Sequence, residues 1–252
     1  MQKTVLITGA TSGIGEACAR KFAAGGYNLV ITGRRENRLV QLKAELEKEH
    51  SINCITLCFD VCDRKATEEA IAGLREKVQT IDILVNNAGL ALGRDYFEEA
   101  DRNDWDIMMN TNVNGLLNVS MAVIPLMIQQ GSGHIINMGS IAGKEVYEKG
   151  NIYCASKFAV DAITKAQRID LLRHRIKVTG IHPGAVESEF SLVRFKGDKE
   201  TADSIYKGYQ PLNPEDVAET VLFCASLPAH VCLNELSITC VSQANPFYTF
   251  KG

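Results

Sequence analysis

None of the eight cysteines forms a Cys-x-x-Cys pair. Cys54, Cys58 and Cys62 are evenly spaced, but no histidine or second cysteine pair supports them as ligands. No metal site is expected, and reduced thiols are. An excess of positive charge is also missing. Lys and Arg total 27 against 30 Asp and Glu, a net charge of -3, and no basic stripe suggests nucleic acid or an anionic membrane. No uninterrupted apolar run reaches the roughly 18 residues of a membrane span. Met1-Gln2-Lys3 enters a strand-like run at once, so no signal peptide is expected. A cytoplasmic protein acting on a small molecule, with neither nucleic acid nor membrane as partner, is the expectation.

What remains is an ordinary globular composition: 252 residues, 46% hydrophobic and 23% charged, enough for one large α/β domain or two small ones. Lys3 to Thr8 reads as a buried parallel strand. Thr8-Gly9-Ala10-Thr11-Ser12-Gly13-Ile14-Gly15 follows, then a helical pattern to about Ala24. A strand, a glycine turn and a helix N-terminus make a phosphate cradle, because glycine permits close backbone approach and the helix dipole favours an anion. The spacing is Gly-x-x-x-Gly-x-Gly, not the commoner Gly-x-Gly-x-x-Gly.

A second strand, Tyr27 to Thr32, runs into Gly33-Arg34-Arg35. A dinucleotide fold that binds NAD often has a carboxylate here for the ribose, whereas arginine accommodates a 2′-phosphate. The alternative is a solvated charge cluster opening the next helix, Glu36 to His50. Cys54 to Phe59 is a third strand ending in Asp60-Val61, where a carboxylate can accept from an adenine amine. Arg64 to Val78 is a helix, and Ile81 to Val85 a fourth strand ending in Asn86-Asn87-Ala88-Gly89. Those amides can tie strand ends together, and the small residues leave room for a flat ring; a plain turn is the alternative.

Leu90 to Arg102 reads as irregular, and Asp104 to Gln130 as one long helix containing Asn112, with a kink at Pro125. Gly133 to Met138 is a fifth strand with Gly139-Ser140 at its end. Asn151 to His174 is a helix that places Tyr153 and Lys157 one turn apart on one face. A nearby ammonium lowers a phenol pKa, which makes the pair an acid/base catalyst. The spacing alone is weak, since short motifs recur by chance. Ile176 to Ile181 is a sixth strand, followed by His182-Pro183-Gly184-Ala185-Val186. Residues 187–213 read as polar and irregular, Pro214 to Ser226 as a helix, and Glu235 to Val241 as the last strand.

Strands and helices alternate without linker or repeat. The expected fold is a single-domain α/β Rossmann-type doubly wound parallel sheet of about seven strands, with helices on both faces. Gly9, Arg34, Asp60, Asn87, Ser140 and Gly184 all fall at strand C-termini, where such folds bind ligands. A long irregular stretch inside a compact domain is an active-site lid or disordered. Residues 184–213 are read as the lid, with Arg194 as the first choice for a substrate carboxylate, because its planar fork matches one. A solvated loop of mixed charge is the alternative.

With Thr8-Gly9-x-x-x-Gly13-x-Gly15, Asn86-Asn87-Ala88-Gly89, Asn112, Ser140 and Tyr153-x-x-x-Lys157 in this order, the chain resembles the short-chain dehydrogenase/reductase family along its whole length. Asn87 to Gly93, Glu189 to Asp198 and Leu227 to Val231 resemble its branch of NADP-dependent 3-hydroxy acid dehydrogenases acting on serine and allo-threonine. His182-Pro183-Gly184 departs from the usual Asn-Pro-Gly or Glu-Pro-Gly, and Glu187 stands where small residues are common. The resemblance implies that Tyr153 transfers a proton to or from the substrate oxygen and Ser140 hydrogen-bonds that oxygen. It implies that Lys157 lowers the phenol pKa and holds the nicotinamide ribose, and that Asn112 anchors a water. It implies NADP bound by residues 9–15, Arg34, Arg35, Asp60, Val61, Asn87, Ala88, Gly89, Tyr153, Lys157, Pro183, Gly184, Val186 and Ser188, and a homotetramer. A reductase of other ketones, dicarbonyls or sugars is the alternative activity, and a cofactor sensor without chemistry a more remote one.

Overall fold

The computed structural model describes residues 2–252. Seven strands among these residues form one sheet: β1 (Thr4–Ile7), β2 (Asn28–Gly33), β3 (Cys54–Cys58), β4 (Ile83–Asn86), β5 (Gly133–Met138), β6 (Ile176–Pro183) and β7 (Glu235–Ile238). Their order is β3-β2-β1-β4-β5-β6-β7 and every pairing is parallel. The order reverses between β1 and β4. This is the switch point outside whose strand ends open α/β sheets bind ligands.

Among the described residues, nine α-helices cover the sheet: α1 (Gly13–Ala24), α2 (Glu36–Glu49), α3 (Arg64–Ala72), α4 (Arg102–Met109), α5 (Gly115–Gln130), α6 (Asn151–Asp170), α7 (Glu189–Arg194), α8 (Lys199–Ser204) and α9 (Pro214–Ser226). Successive strand residues point to opposite faces. In β1, Val5 and Ile7 join a core with Phe22 of α1, Leu39 of α2 and Val221 of α9. Leu6 between them joins the other core, with Ile71 of α3 and Val119 and Val123 of α5. On that second face a buried polar chain ties helices to strands. Asn86 donates to Ser120 of α5 and to Asn137 of β5, and Asn137 donates to Thr164 and Gln167 of α6. The helix carrying Tyr153 is thereby fixed to the sheet.

Several expectations change. The long helix does run from Arg102 to Gln130, but its irregularity is a π-helical turn at Asn110–Asn114, with Pro125 inside regular α5. Residues 187–213 contain two short helices, started by the caps of Ser188 on Phe190 N and Asp198 on Thr201 N. Helix α3 stops at Ala72, where Gly73 caps it, and β7 stops at Ile238. The stretch Arg102–Gln130 is long and apolar enough to cross a membrane by length and composition. Its Val119, Val123 and Met127 are instead buried in the sheet's core.

The segment after β6 leaves and returns through a narrow neck. Glu187 N donates to Leu212 O and Leu212 N to Ala185 O, at 2.8 and 3.0 Å. The Gln243 side chain accepts from Ala185 N at 2.8 Å.

Candidate active site

A cleft of about 350 Å³ opens at the C-terminal edge of the sheet and runs from Arg34 and Asp60 at one end to Ser140 and Tyr153 at the other. Its floor is the glycine turn. Gly9 and Gly13 have φ of 67° and 54°, in the left-handed region that favours glycine. At Gly15 a Cβ would lie 2.3 Å from Gly9 O and 2.5 Å from Asn87 Nδ2, so no side chain fits. Asn87 Nδ2 donates to Thr8 O, while the Thr8 hydroxyl accepts from Asn87 N and Ala88 N. Thr8 and Asn87 thus clamp the ends of β1 and β4 beside the N-terminus of α1.

Ser12 precedes α1 without capping it. Its hydroxyl accepts instead from Arg35 Nη2 at 2.7 Å, and the Thr11 hydroxyl accepts from Arg35 Nε and Nη2. Arg34 is exposed and lies 3.4 Å from Asp60. Asp60 also accepts from Cys62 N. Sequence reasoning missed Arg38. It donates to Thr11 O at 3.2 Å and pairs with Glu189 at 2.8 Å, while Arg35 pairs with the same carboxylate at 2.9 Å. Its position one helical turn beyond Arg35 was the available signal.

At the other end, Ser140, Tyr153, Lys157 and Met138 line one wall. The Ser140 hydroxyl caps the turn Ile141–Gly143 by accepting from Ala142 N, and donates to Pro183 O at 3.4 Å. Lys157 is buried, and its ammonium donates to Met138 O at 2.9 Å. Burial lowers its pKa to about 8. Burial pushes the Tyr153 phenol up from its ordinary value, and the neighbouring Tyr147 adds to this against opposition from Ser140 and Arg194. Desolvation is the largest of these influences, ahead of every neighbouring group that acts on the phenol. Asn112, buried in the π-helical turn, accepts from Leu90 N and donates to Leu90 O and to the Ser156 hydroxyl. It fixes the loop after β4 against α6.

Pro183, Gly184, Val186 and Ser188 line the side of the cleft. At Gly184 a Cβ would collide with Gln243 Oε1. Helix α7 covers the mouth. Phe190 stands edge-on to Tyr153 with ring centroids 5.8 Å apart. The Arg194 guanidinium lies 5.5 Å from the Tyr153 ring centre and 5.8 Å from that of Tyr147. Arg194 Nε donates to Gly93 O, and Gly93 N donates to Arg194 O. Two other cations of this segment are engaged elsewhere, Lys196 by Asp104 and Lys199 by Asp203. Two histidines are buried among the strands, and of these His134 bonds Thr179 inside the sheet. His182 is buried 3.7 Å from Asp161, whose carboxylate Lys144 and Lys165 already neutralise.

The sequence profile of the short chain dehydrogenase family matches residues 3–198, more than three quarters of the chain. The chain is a short chain dehydrogenase. This dehydrogenase is 44% identical over 245 residues to sulfoacetaldehyde reductase 2 of Chromohalobacter salexigens, covering 97% of this chain and 96% of that one. It is 45% identical over 241 residues to an NADP-dependent 3-hydroxy acid dehydrogenase of Salmonella typhi, covering 95% and 96%. Among solved structures, the closed form of a serine dehydrogenase complexed with NADP+ matches it with a TM-score of 0.91 and 43% identity, over 99% of both chains.

Proposed function

We propose that this dehydrogenase transfers a hydride between NADP(H) and a small anionic substrate, a 3-hydroxy acid such as serine or allo-threonine, oxidised at its 3-hydroxyl. The observation that carries the substrate class is Arg194. Its guanidinium faces the Tyr153 ring and is the cation of the lid, residues 184–213, that lies next to the reacting end of the cleft. A planar guanidinium matches a carboxylate.

The cleft suits the cofactor. The floor at Gly9 and Gly15 is too tight for a side chain, as close backbone approach to a pyrophosphate requires. Arg34 and Arg35 flank the adenosine end for a 2′-phosphate, and Asp60 with Val61 borders the adenine. Ala88, Gly89, Pro183 and Gly184 flank the nicotinamide end. When bound, NADP+ supplies the hydride acceptor and a positive ring charge. Tyr153 takes the proton from the 3-hydroxyl. Ser140 donates a hydrogen bond to the same oxygen. Lys157 holds the ribose hydroxyls beside Tyr153. Asn112 keeps Leu90 and α6 in register around a water that continues the proton path.

The similarity to a sulfoacetaldehyde reductase favours a second reading, reduction of an aldehyde bearing a sulfonate. Arg194 serves either anion. Exposed Phe158 and Ile169 on α6 and Leu172 just after it, with Ile107 and Met121 on the neighbouring helices, support assembly into a homotetramer. All eight cysteines are free thiols, which fits a reducing cytoplasm.

The test is an assay of serine and allo-threonine with NADP+, and of sulfoacetaldehyde and neutral carbonyls with NADPH. Catalytic efficiency is expected to be highest for an anionic substrate, and Tyr153→Phe to lose about 100-fold or more. Preference for neutral alcohols and ketones over every anion refutes the substrate class.

A further inference from the structure

Helix α7 touches both ends of the cleft. Its first residue, Glu189, holds two guanidinium groups on the adenosine side, Arg35 Nη1 at 2.9 Å and Arg38 Nη1 at 2.8 Å. Its second residue, Phe190, rests edge-on against Tyr153. Its last residue, Arg194, exchanges two hydrogen bonds with the main chain of Gly93. Six helical residues span about 9 Å and behave as one rigid piece. The two arginines pull the Glu189 pKa below its ordinary value, first through Arg35.

We infer that Glu189 is a positioning residue, the latch that closes the lid and seats Phe190 on Tyr153 through Arg35 and Arg38. The proposal rests on the reading of Tyr153 as the reacting group. Arg35 does not need Glu189 to stay in place, because Thr11 and Ser12 already receive its Nε and Nη2. Loss of the latch therefore frees the N-terminal end of α7 while the Gly93 bonds keep its C-terminal end. The helix swings about Arg194, and Phe190 separates from Tyr153. A change at the adenosine wall thus reaches the reaction centre through one short helix. The paired side chains are 41–47% exposed. Two such pairs shift the closed-to-open ratio by roughly threefold to tenfold.

The test is amide hydrogen exchange over residues 189–196 of the full-length protein, paired with calorimetric binding of adenosine 2′,5′-bisphosphate. Glu189→Gln is expected to speed exchange there by about threefold to tenfold and to lower kcat/KM for the hydroxy acid several-fold, mainly through KM. Binding of the bisphosphate should not weaken. Arg38→Gln, which leaves the Arg35 pair, should speed exchange in the same segment by less, and the double variant should go no further than Glu189→Gln, because that change already removes both pairs. Unchanged exchange in Glu189→Gln, additive effects in the double variant, or bisphosphate binding weakened more than threefold each overturns the latch. Activity retained by Tyr153→Phe would instead refute the catalytic reading while leaving the exchange result standing.

Discussion

The Lys157 ammonium donates to the main-chain carbonyl of Met138 on the same wall of the cleft, 2.9 Å away, and is buried there with its pKa lowered to about 8. As pH rises through about 8 that charge is lost, and affinity for NADP+ should fall. The stability linked to this group moves the other way. The unfolded chain keeps the proton to about 10.5, so between about 8 and 10.5 it binds more protons than the native state, and stability rises with pH. Titrating NADP+ binding and thermal unfolding over pH 7–10.5 should show the two limbs running in opposite directions. Lys157→Met should flatten both; a binding limb that survives in that variant assigns it to another group.

Arg35 and Arg34 stand where an NAD-binding chain carries a carboxylate. Hydrogen bonds to a charged group contribute roughly 1.5–3 kcal/mol, which corresponds to about 10–150-fold. The ratio of kcat/KM with NADP+ to that with NAD+ should fall by this amount in Arg35→Ala. An unchanged ratio would move the 2′-phosphate to other residues.

Arg194→Met keeps much of the apolar stem and removes the fork. Activity on serine is expected to drop at least tenfold, while an uncharged alcohol of similar size is little affected. Parallel losses on both would mean that Arg194 matters through its bond to Gly93 and its packing on Tyr147, and no loss would remove it from the site.

His182 lies buried beneath Ser140, with its pKa lowered to about 4 by burial and by Lys144. The unfolded chain takes up its proton near pH 6.5 and the native state does not, so this group's stabilisation is complete above 6.5 and is lost as pH falls toward about 4. The loss amounts to at most about 3 kcal/mol. Denaturant melts at pH 7, 5.5 and 4.5 should show a shallower acid slope in His182→Gln than in the parent chain; equal slopes would contradict it.

The sheet was legible because buried parallel strands are written as short apolar runs that end at turn residues. Gly9, Asp60, Asn87, Ser140 and Gly184 could be placed at strand ends on that basis alone. The π-helical turn was not legible, because Asn110–Asn114 continues the helical pattern without a proline or glycine before Gly115. Helices α7 and α8 are six residues each, too short for periodicity to show above their polar surroundings. The pairing of Arg38 was hidden for a different reason, although its place one turn beyond Arg35 was visible. Its partner Glu189 is 151 positions away, and only the return of the chain over the cleft joins them. The Tyr153 phenol shows the limit of local reasoning most plainly. Spacing on α6 set it one turn from Lys157, but its own desolvation is the largest influence on its pKa.

The neck formed by Ala185, Glu187 and Leu212 isolates the covering segment from the sheet it grows out of. Chain added or removed between those residues leaves the strand register untouched, and loop closure becomes costlier by only about 0.6 kcal/mol for each doubling of length. Insertions there are compatible with an unchanged scaffold, so relatives with the same hydride chemistry can diverge in what they accept by rewriting that segment alone.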